Sequence, residues 1–273
     1  MFRAERSKST LGSTFSLLEL IYHATVRHIR RSQGNAILGL LRNMVQTFLL
    51  VLSFYVMYSV LGLRGNTVRG NFLLYIMSGI FLYLTHTKAM GAVFGAESST
   101  SAMMKHAPMT TAVSITAAAL SALYLQVLSM VVVLYIYHAA WGPIEIYDWV
   151  GAMGMVLLSW FTGVALGLVF LAAKPWAPGF VGIVQAVYSR ANMIASGKMF
   201  VANNLTHKML ALFSWNPLFH TIDQARGYTF INYNPHFSNW HYSLIVGLAL
   251  LMIGLMGEFY TRQYASLSWS ARR

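Results

Sequence analysis

The chain has no cysteine. That excludes disulfides, thiolate metal sites, iron–sulfur clusters and a cysteine nucleophile. Charge is scarce too: Asp, Glu, Lys and Arg make up 10% of the residues, against about a quarter in soluble domains, so an ordinary soluble domain is excluded. Carboxylates are scarcest, seven in all (Glu5, Glu19, Glu97, Glu145, Asp148, Asp223 and Glu258), and none falls in the middle of a long apolar run. Ion-coupled transporters place such groups near mid-membrane, so this absence argues against proton or sodium coupling by this chain. A phosphate-binding G-x-x-x-x-G-K-[ST] loop is missing; the single Gly197-Lys198 pair lacks the upstream glycine. ATP hydrolysis by this chain alone is therefore not expected. There is no G-x-S-x-G elbow, no H-E-x-x-H and no histidine pair at i, i+4 among the nine histidines. No catalytic residue, metal ligand or cofactor is assigned to this chain.

What is present is apolar and clustered. Hydrophobic residues make up 57% of the 273, and mean hydropathy is +0.56. A spanning helix needs ~20 mostly apolar residues. The expected fold class is all-α: a polytopic integral membrane protein with six transmembrane helices, an N-terminal amphipathic interface helix and short re-entrant helices before the last span. The predicted spans are residues 45–63, 72–88, 111–137, 149–173, 180–202 and 242–259. Residues 1–36 form an N-terminal region and 37–273 the transmembrane domain. A shorter apolar piece, Met209–Leu218, stops at Pro217 and is half the length of a span. It is expected to be re-entrant, within about 203–220.

The charges orient this frame. With the N-terminus cytoplasmic, thirteen of the nineteen lysines and arginines fall on the cytoplasmic side and four on the far side; Arg190 and Lys198 lie inside the fifth span. Both termini are thus expected to be cytoplasmic. The net charge of +12 reads as positive-inside bias rather than a nucleic-acid surface. Trp141, Trp149, Trp215, Trp240, Tyr228 and Tyr233 gather near the far-side interface. Ser16 and Glu19 resemble a capping box. Beyond them Leu18, Ile21, Tyr22, Thr25 and Ile29 recur at helical spacing, opposite His23, Arg27, Arg30 and Arg31. That pattern suits a helix lying on a membrane surface or one packed on a partner. No cleaved signal peptide is expected.

Gln185, Ser189, Asn192, Ser196 and Asn203 recur at intervals of four, three, four and seven, so on a continuous helix they share a face. They read either as a seam hydrogen-bonded to other helices or as the wall of a hydrated path. Arg190 and Lys198 project elsewhere and are costly at membrane depth, roughly 2.5–3.5 kcal/mol each. Lys198 could snorkel outward, which makes Arg190 the stronger signal for a substrate path. Trp215, Tyr228 and Trp240 read as interface anchors or as part of a substrate path. His86 reads as a packed or pore-lining histidine. Between the second and third spans, Glu97 and then Met103, Met104 and Lys105 precede Pro108. This short segment reads as a connector or as an apolar knob that docks on an ATPase.

Before the last span the chain reads Trp215-Asn-Pro-Leu-Phe-His-Thr-Ile-Asp-Gln-Ala-Arg226. This resembles the W-N-P-L-x-H-x-x-E-x-x-R-like segment of permease subunits of type 2 ABC exporters, above all those for capsular polysaccharide or polyol phosphate. Trp215, Asn216, Pro217, His220 and Arg226 match the pattern, and Asp223 takes its acidic position. Arg27-His-Ile-Arg-Arg followed by Gly39-Leu-Leu is similar to the family's entry helix, whereas Arg42-Asn-Met stands where relatives often carry an acidic residue and a proline. The resemblance implies a homodimer of six-span subunits with two copies of a nucleotide-binding subunit carrying ATP and magnesium. It also implies a bacterial inner-membrane location, an export path at the dimer interface, short re-entrant helices within 203–240, and periplasmic or outer-membrane export proteins as further candidate partners. The expected function is permease for a lipid-linked, acidic polysaccharide. Alternatives are the same fold exporting a drug, lipid or other small molecule, and an integral-membrane glycosyl- or acyltransferase. A purely structural scaffold is disfavoured by the polar and cationic fifth span.

Overall fold

The computed structural model describes residues 10–33, 36–62, 71–96 and 110–264, and among these all regular structure is helical. The helices are α1 (Thr10–Gln33), α2 (Ala36–Val60), α3 (Phe72–Phe94), α4 (Thr111–Trp141), α5 (Trp149–Ala173), α6 (Pro178–Ala195), α7 (His207–Phe213), α8 (Pro217–Thr229) and α9 (Trp240–Tyr264). A single 3-10 turn, Ala202–Asn204, lies between α6 and α7. The proposed docking segment with Glu97, Met103, Met104 and Lys105 lies outside the described residues.

Four helices are long and apolar enough to cross a membrane: Leu38–Val60, Thr111–Ala140, Trp149–Ala173 and Trp240–Tyr264. Six were expected. The second and fifth predicted spans correspond to α3, whose apolar run is interrupted by polar residues, and to α6, which is shorter and less apolar. α3 carries Thr85, His86, Thr87 and Lys88 in its second half, and α6 carries Gln185, Ser189, Arg190 and Asn192. The first span begins earlier than predicted, so Arg42 and Asn43 lie inside α2.

Local chemistry sets the starts of these helices. Asn71 accepts from the Leu73 amide, Thr110 from that of Val113, and Asp148 from those of Val150 and Gly151, each satisfying amides that have no partner within the helix. Pro178 and Pro217 occupy first-turn positions of α6 and α8, where the missing N–H costs nothing. Pro217 therefore starts a helix, where the sequence suggested that it ends one. The apolar piece 209–218 is split at Ser214–Asn216 between α7 and α8.

α5 is the central helix, packed against α3, α8 and α9. Its glycines permit close approach. A Cβ on Gly163 would meet the His86 carbonyl oxygen at 2.4 Å, and one on Gly167 would meet that of Met90 at 2.7 Å. Gly247 and Gly254 of α9 sit equally tight against Phe161 and Leu168 of α5. In a bilayer, where apolar surface gains little by meeting apolar surface, such small-residue crossings supply dispersion contact. α1 lies on α4 through Leu20, Ile21 and Ala24 against Val113 and Ala117. Its orientation differs from the predicted stripe: Leu18 and Tyr22 are exposed together with Phe15. Because α1 begins at Thr10, Ser16 lies inside the helix and does not cap it.

Gly163→Ala should force α3 and α5 apart, at a cost of about 1–3 kcal/mol. Gly182→Ala, where nothing lies within 4 Å of the added carbon, should not. Thermal melts of the two purified variants check this; equal melting temperatures would contradict the packing described.

Candidate functional site

α6 ends at Ala195, seven residues short of the predicted fifth span. Gly197 then adopts φ +75°, and a Cβ there would lie 2.8 Å from the Phe219 ring. Both constraints call for glycine. The backbone from 197 to 200 is left without helical partners, and Arg226 of α8 supplies them. Its Nη1 donates to the carbonyls of Gly197 at 2.9 Å and Phe200 at 2.6 Å, and its Nη2 to that of Lys198 at 2.7 Å. The guanidinium is 0% exposed and lies over the Tyr75 ring, 4.3 Å from its centroid. A planar fork with five donors suits several carbonyls at once, and hydrogen bonds to a charged group contribute about 1.5–3 kcal/mol each.

The other residues of the 215–226 segment tie down further pieces of chain. Asn216 caps α8 through Oδ1, while its Nδ2 donates to Asn192 Oδ1 at 2.7 Å and to the Ala195 carbonyl at 3.1 Å. His220 Nε2 donates to the Ser214 carbonyl at 2.6 Å, and its Nδ1 accepts from the Asn239 amide at 3.0 Å. That pair of partners assigns the neutral Nε2–H tautomer. Asp223, 2% exposed, accepts from the Tyr233 and Ser238 hydroxyls at 2.5 and 2.7 Å and from the Ala202 amide at 3.4 Å. Burial and the adjacent carboxylate raise the Tyr233 pKa, so its phenol stays protonated as a donor. Tyr242 Oη and Ser243 Oγ close the arrangement on the carbonyls of Trp215 and Pro217. Asp223 and Arg226 do not pair directly: among the described residues the recorded ion pair is His23–Glu19. Each goes to a different stretch of chain, and α8 is the shared axle.

The predicted path residues divide. Arg190 is exposed on α6. Lys198, expected to lie on α6 and to snorkel outward, does neither. It follows the break and is only 3% exposed, with Nζ 3.6 Å from the Tyr83 ring centroid and 4.9 Å from that of Phe54. The polar seam is correspondingly cut. Gln185 donates to Ser189 within α6 at 3.3 Å, Asn192 joins the α8 cap, and Asn203, beyond the helix, is bonded to Asn234 and His236. Ser196 and Asn203 are thus not on one helical face with the others, because the helix has already ended. Of the aromatics, Trp215 is 63% exposed. Tyr228 packs on the main core against the backbone of Gly151, and Trp240 is half-buried and stacked on His241.

Sequence reasoning missed the roles of Tyr75, which meets Arg226 from a distant helix, and of Tyr233 and Ser238, which nothing local marks as partners of Asp223. His86 is fully packed: Nδ1 lies 3.1 Å from Thr162 Oγ1 and Nε2 lies 3.1 Å from Tyr188 Oη. Neither a protein-family model nor a curated protein matches the chain.

Gln, shorter and with two donors, cannot replace the three bonds that Arg226 makes. The expected loss is several kcal/mol, at roughly 1–3 for each buried carbonyl left unmet, read as a collapse of monodisperse protein on size exclusion. Arg190→Gln should leave the folded yield unchanged. A well-folded Arg226→Gln protein would refute the role assigned to the guanidinium.

Burial holds the His220 imidazole below its ordinary pKa, partly offset by the Ser214 carbonyl and the Asp223 charge. The unfolded chain therefore takes up the proton first, so this residue's contribution is complete well above about pH 6.5 and is lost as pH falls through and below that value. The melting temperature of wild type should drop from about pH 7 to about pH 5, more steeply than that of His220→Gln, in which this group does not titrate. Parallel slopes would show that other groups carry the pH dependence.

Proposed function

We propose that this chain is the transmembrane permease subunit of an ATP-driven exporter. On this reading it works as a homodimer of six-span subunits with two copies of a separate nucleotide-binding subunit. It moves a lipid-linked, acidic polysaccharide across the inner membrane of a bacterium, with both termini cytoplasmic. One observation carries most of the weight. α6 packs only lightly on the bundle, against α3 and α5, and leaves Arg190 exposed amid Ile183, Val187 and Ile194. A cation held at that depth against lipid is costly. A second copy covering the apolar residues, with water or an anionic polymer beside Arg190, removes that cost.

The rest is in keeping. The apolar stripe Phe15, Leu18 and Tyr22 on α1 suits a helix set into the headgroup boundary. Short α7 and α8 would serve as the re-entrant elements that the resemblance of the 215–226 segment implies. α3 and α6 would serve as the second and fifth spans, shielded by the bundle and by the partner copy. Exposed Trp215 offers a ring face to sugar or headgroup. The missing phosphate loop is in keeping with ATP and magnesium held by a partner subunit.

The test is reconstitution. Purified alone in nanodiscs, the chain should hydrolyse no ATP, and turnover should appear only with a co-expressed nucleotide-binding subunit. In proteoliposomes of that complex, Arg190→Gln should slow export of an acidic polymer per assembled complex without reducing assembly. ATPase activity by the single chain would overturn the assignment. An export rate per complex unaffected by Arg190→Gln would remove the acidic cargo from it.

A further inference from the structure

At the end of the bundle opposite α8, four helices enclose a cavity of about 350 Å³ whose lining includes His28 of α1, Arg42, Asn43 and Gln46 of α2, Lys88 of α3 and Ser121 of α4. Arg42 and Lys88 are close enough to feel each other's charge, and no carboxylate is found among the described lining residues. Lys88 is not a loose surface lysine. Its Nζ donates to Asn43 Oδ1, and Asn43 is itself fixed, with Nδ2 donating to Ser129 Oγ at 2.6 Å and to the Leu125 carbonyl at 3.1 Å. Two cations lining one cavity, one of them positioned by a buried amide, with no carboxylate among the described lining residues, suit an anion from outside the chain.

The surroundings identify its kind. The cavity lies beneath α1, whose exposed apolar edge marks the headgroup level. Gln46 and Lys88 also line a second, mainly apolar cleft of about 370 Å³ between α2, α3 and α6, where Leu49, Leu50, Leu84 and Met193 stand beside Ser53, Tyr83 and Thr87. A charged recess adjoining a mainly apolar cleft has the shape of an amphiphile. We infer that this is a binding site for an anionic membrane phospholipid, with its phosphodiester between Arg42 and Lys88 and an acyl chain in the α2–α3 cleft. Arg42 can hold two phosphate oxygens through its fork, with Lys88 as a point charge and Gln46 as a neutral donor. The inference does not rest on the export reading, because it concerns the chain alone.

The experiment uses the full chain purified in mild detergent and titrated with dioctanoyl phosphatidylglycerol, dioctanoyl phosphatidylcholine or glycerol 3-phosphate. Bound lipid is counted by native mass spectrometry. The anionic lipid should bind at least roughly tenfold more tightly than the zwitterionic one. Arg42→Gln and Lys88→Gln should each weaken it about fivefold, the scale of one cation near an anionic headgroup. Lys88→Arg should retain binding, and Lys208→Gln on α7 should not affect it. If Lys88→Gln does not fold, Arg42→Gln decides, since its side chain is exposed and carries no packing. Equal binding of the two lipids, or anionic binding indifferent to Arg42, overturns the site. Glycerol 3-phosphate binding as tightly as the anionic lipid overturns the acyl-chain assignment and leaves a small phosphate site.

Discussion

A guanidinium without water must find oxygen elsewhere, and in this protein Arg226 finds it on the backbone of a broken helix. The three carbonyls that it holds belong to the turn that follows the end of α6. Helix end and arginine therefore require one another. Without the arginine, the carbonyls of Lys198 and Phe200 lose their recorded partner in an apolar environment, and that of Gly197 keeps only the Phe200 amide at 3.3 Å. Without the break, the cation has no acceptors within reach. Tyr75 covers the open face of the guanidinium and so links α3 to the same point. Around it, Asn216 ties α8 to the end of α6, and His220, Tyr242 and Ser243 tie it to the start of α9.

The break also sends two side-chain cations in different directions. Lys198 gives its carbonyl to Arg226 while its ammonium lies over Tyr83 and Phe54. Cation–π attraction strengthens on desolvation, to ~2 kcal/mol or more, and it spans α2, α3 and the post-α6 turn in one contact. α6 is thus pinned at its C-terminal end by α8 and by its own following residues, while along its length it meets the bundle lightly. A helix anchored at one end and uncovered along one face is well placed to take a second copy or to shift against one.

Periodicity foresaw that helices exist, and it placed α5 at the observed bounds, because a long apolar run between a capping aspartate and a lysine leaves little choice. It failed where tertiary partners decide. The row Gln185, Ser189, Asn192, Ser196, Asn203 is helical in spacing, yet the chain leaves the helix at Ala195, because Gly197 adopts a left-handed conformation and Arg226 offers an alternative to the helical hydrogen bonds. Pro217 has the same local meaning as a stop or as a first residue; Asn216 just before it, with a cap to make and Asn192 to bind, decides for the latter. Arg190 drew attention as a cation inside a span, and it is the exposed one. Arg226, quoted only as part of a family-like segment, is the one that holds backbone carbonyls. Sequence distance hides which cation meets which carbonyl.

A chain with nineteen lysines and arginines and seven carboxylates cannot neutralise its cations internally. Two of those carboxylates are already committed: Asp148 caps α5, and Asp223 accepts from Tyr233 and Ser238. The sequestered cations are accordingly met by neutral groups. Arg226 takes carbonyls and a ring, Lys198 takes rings, Lys88 takes an amide oxygen, and Lys174 takes the Phe94 carbonyl and the face of its ring. Neutral partners stabilise a cation through dipoles and quadrupoles without cancelling its charge. The positive field therefore remains available within and around the bundle, little screened where water is excluded. Such a protein is biased toward anions wherever it opens a cavity or meets a partner. An acidic polymer along α6 and an anionic headgroup beside Lys88, as proposed, would both draw on that same uncancelled charge.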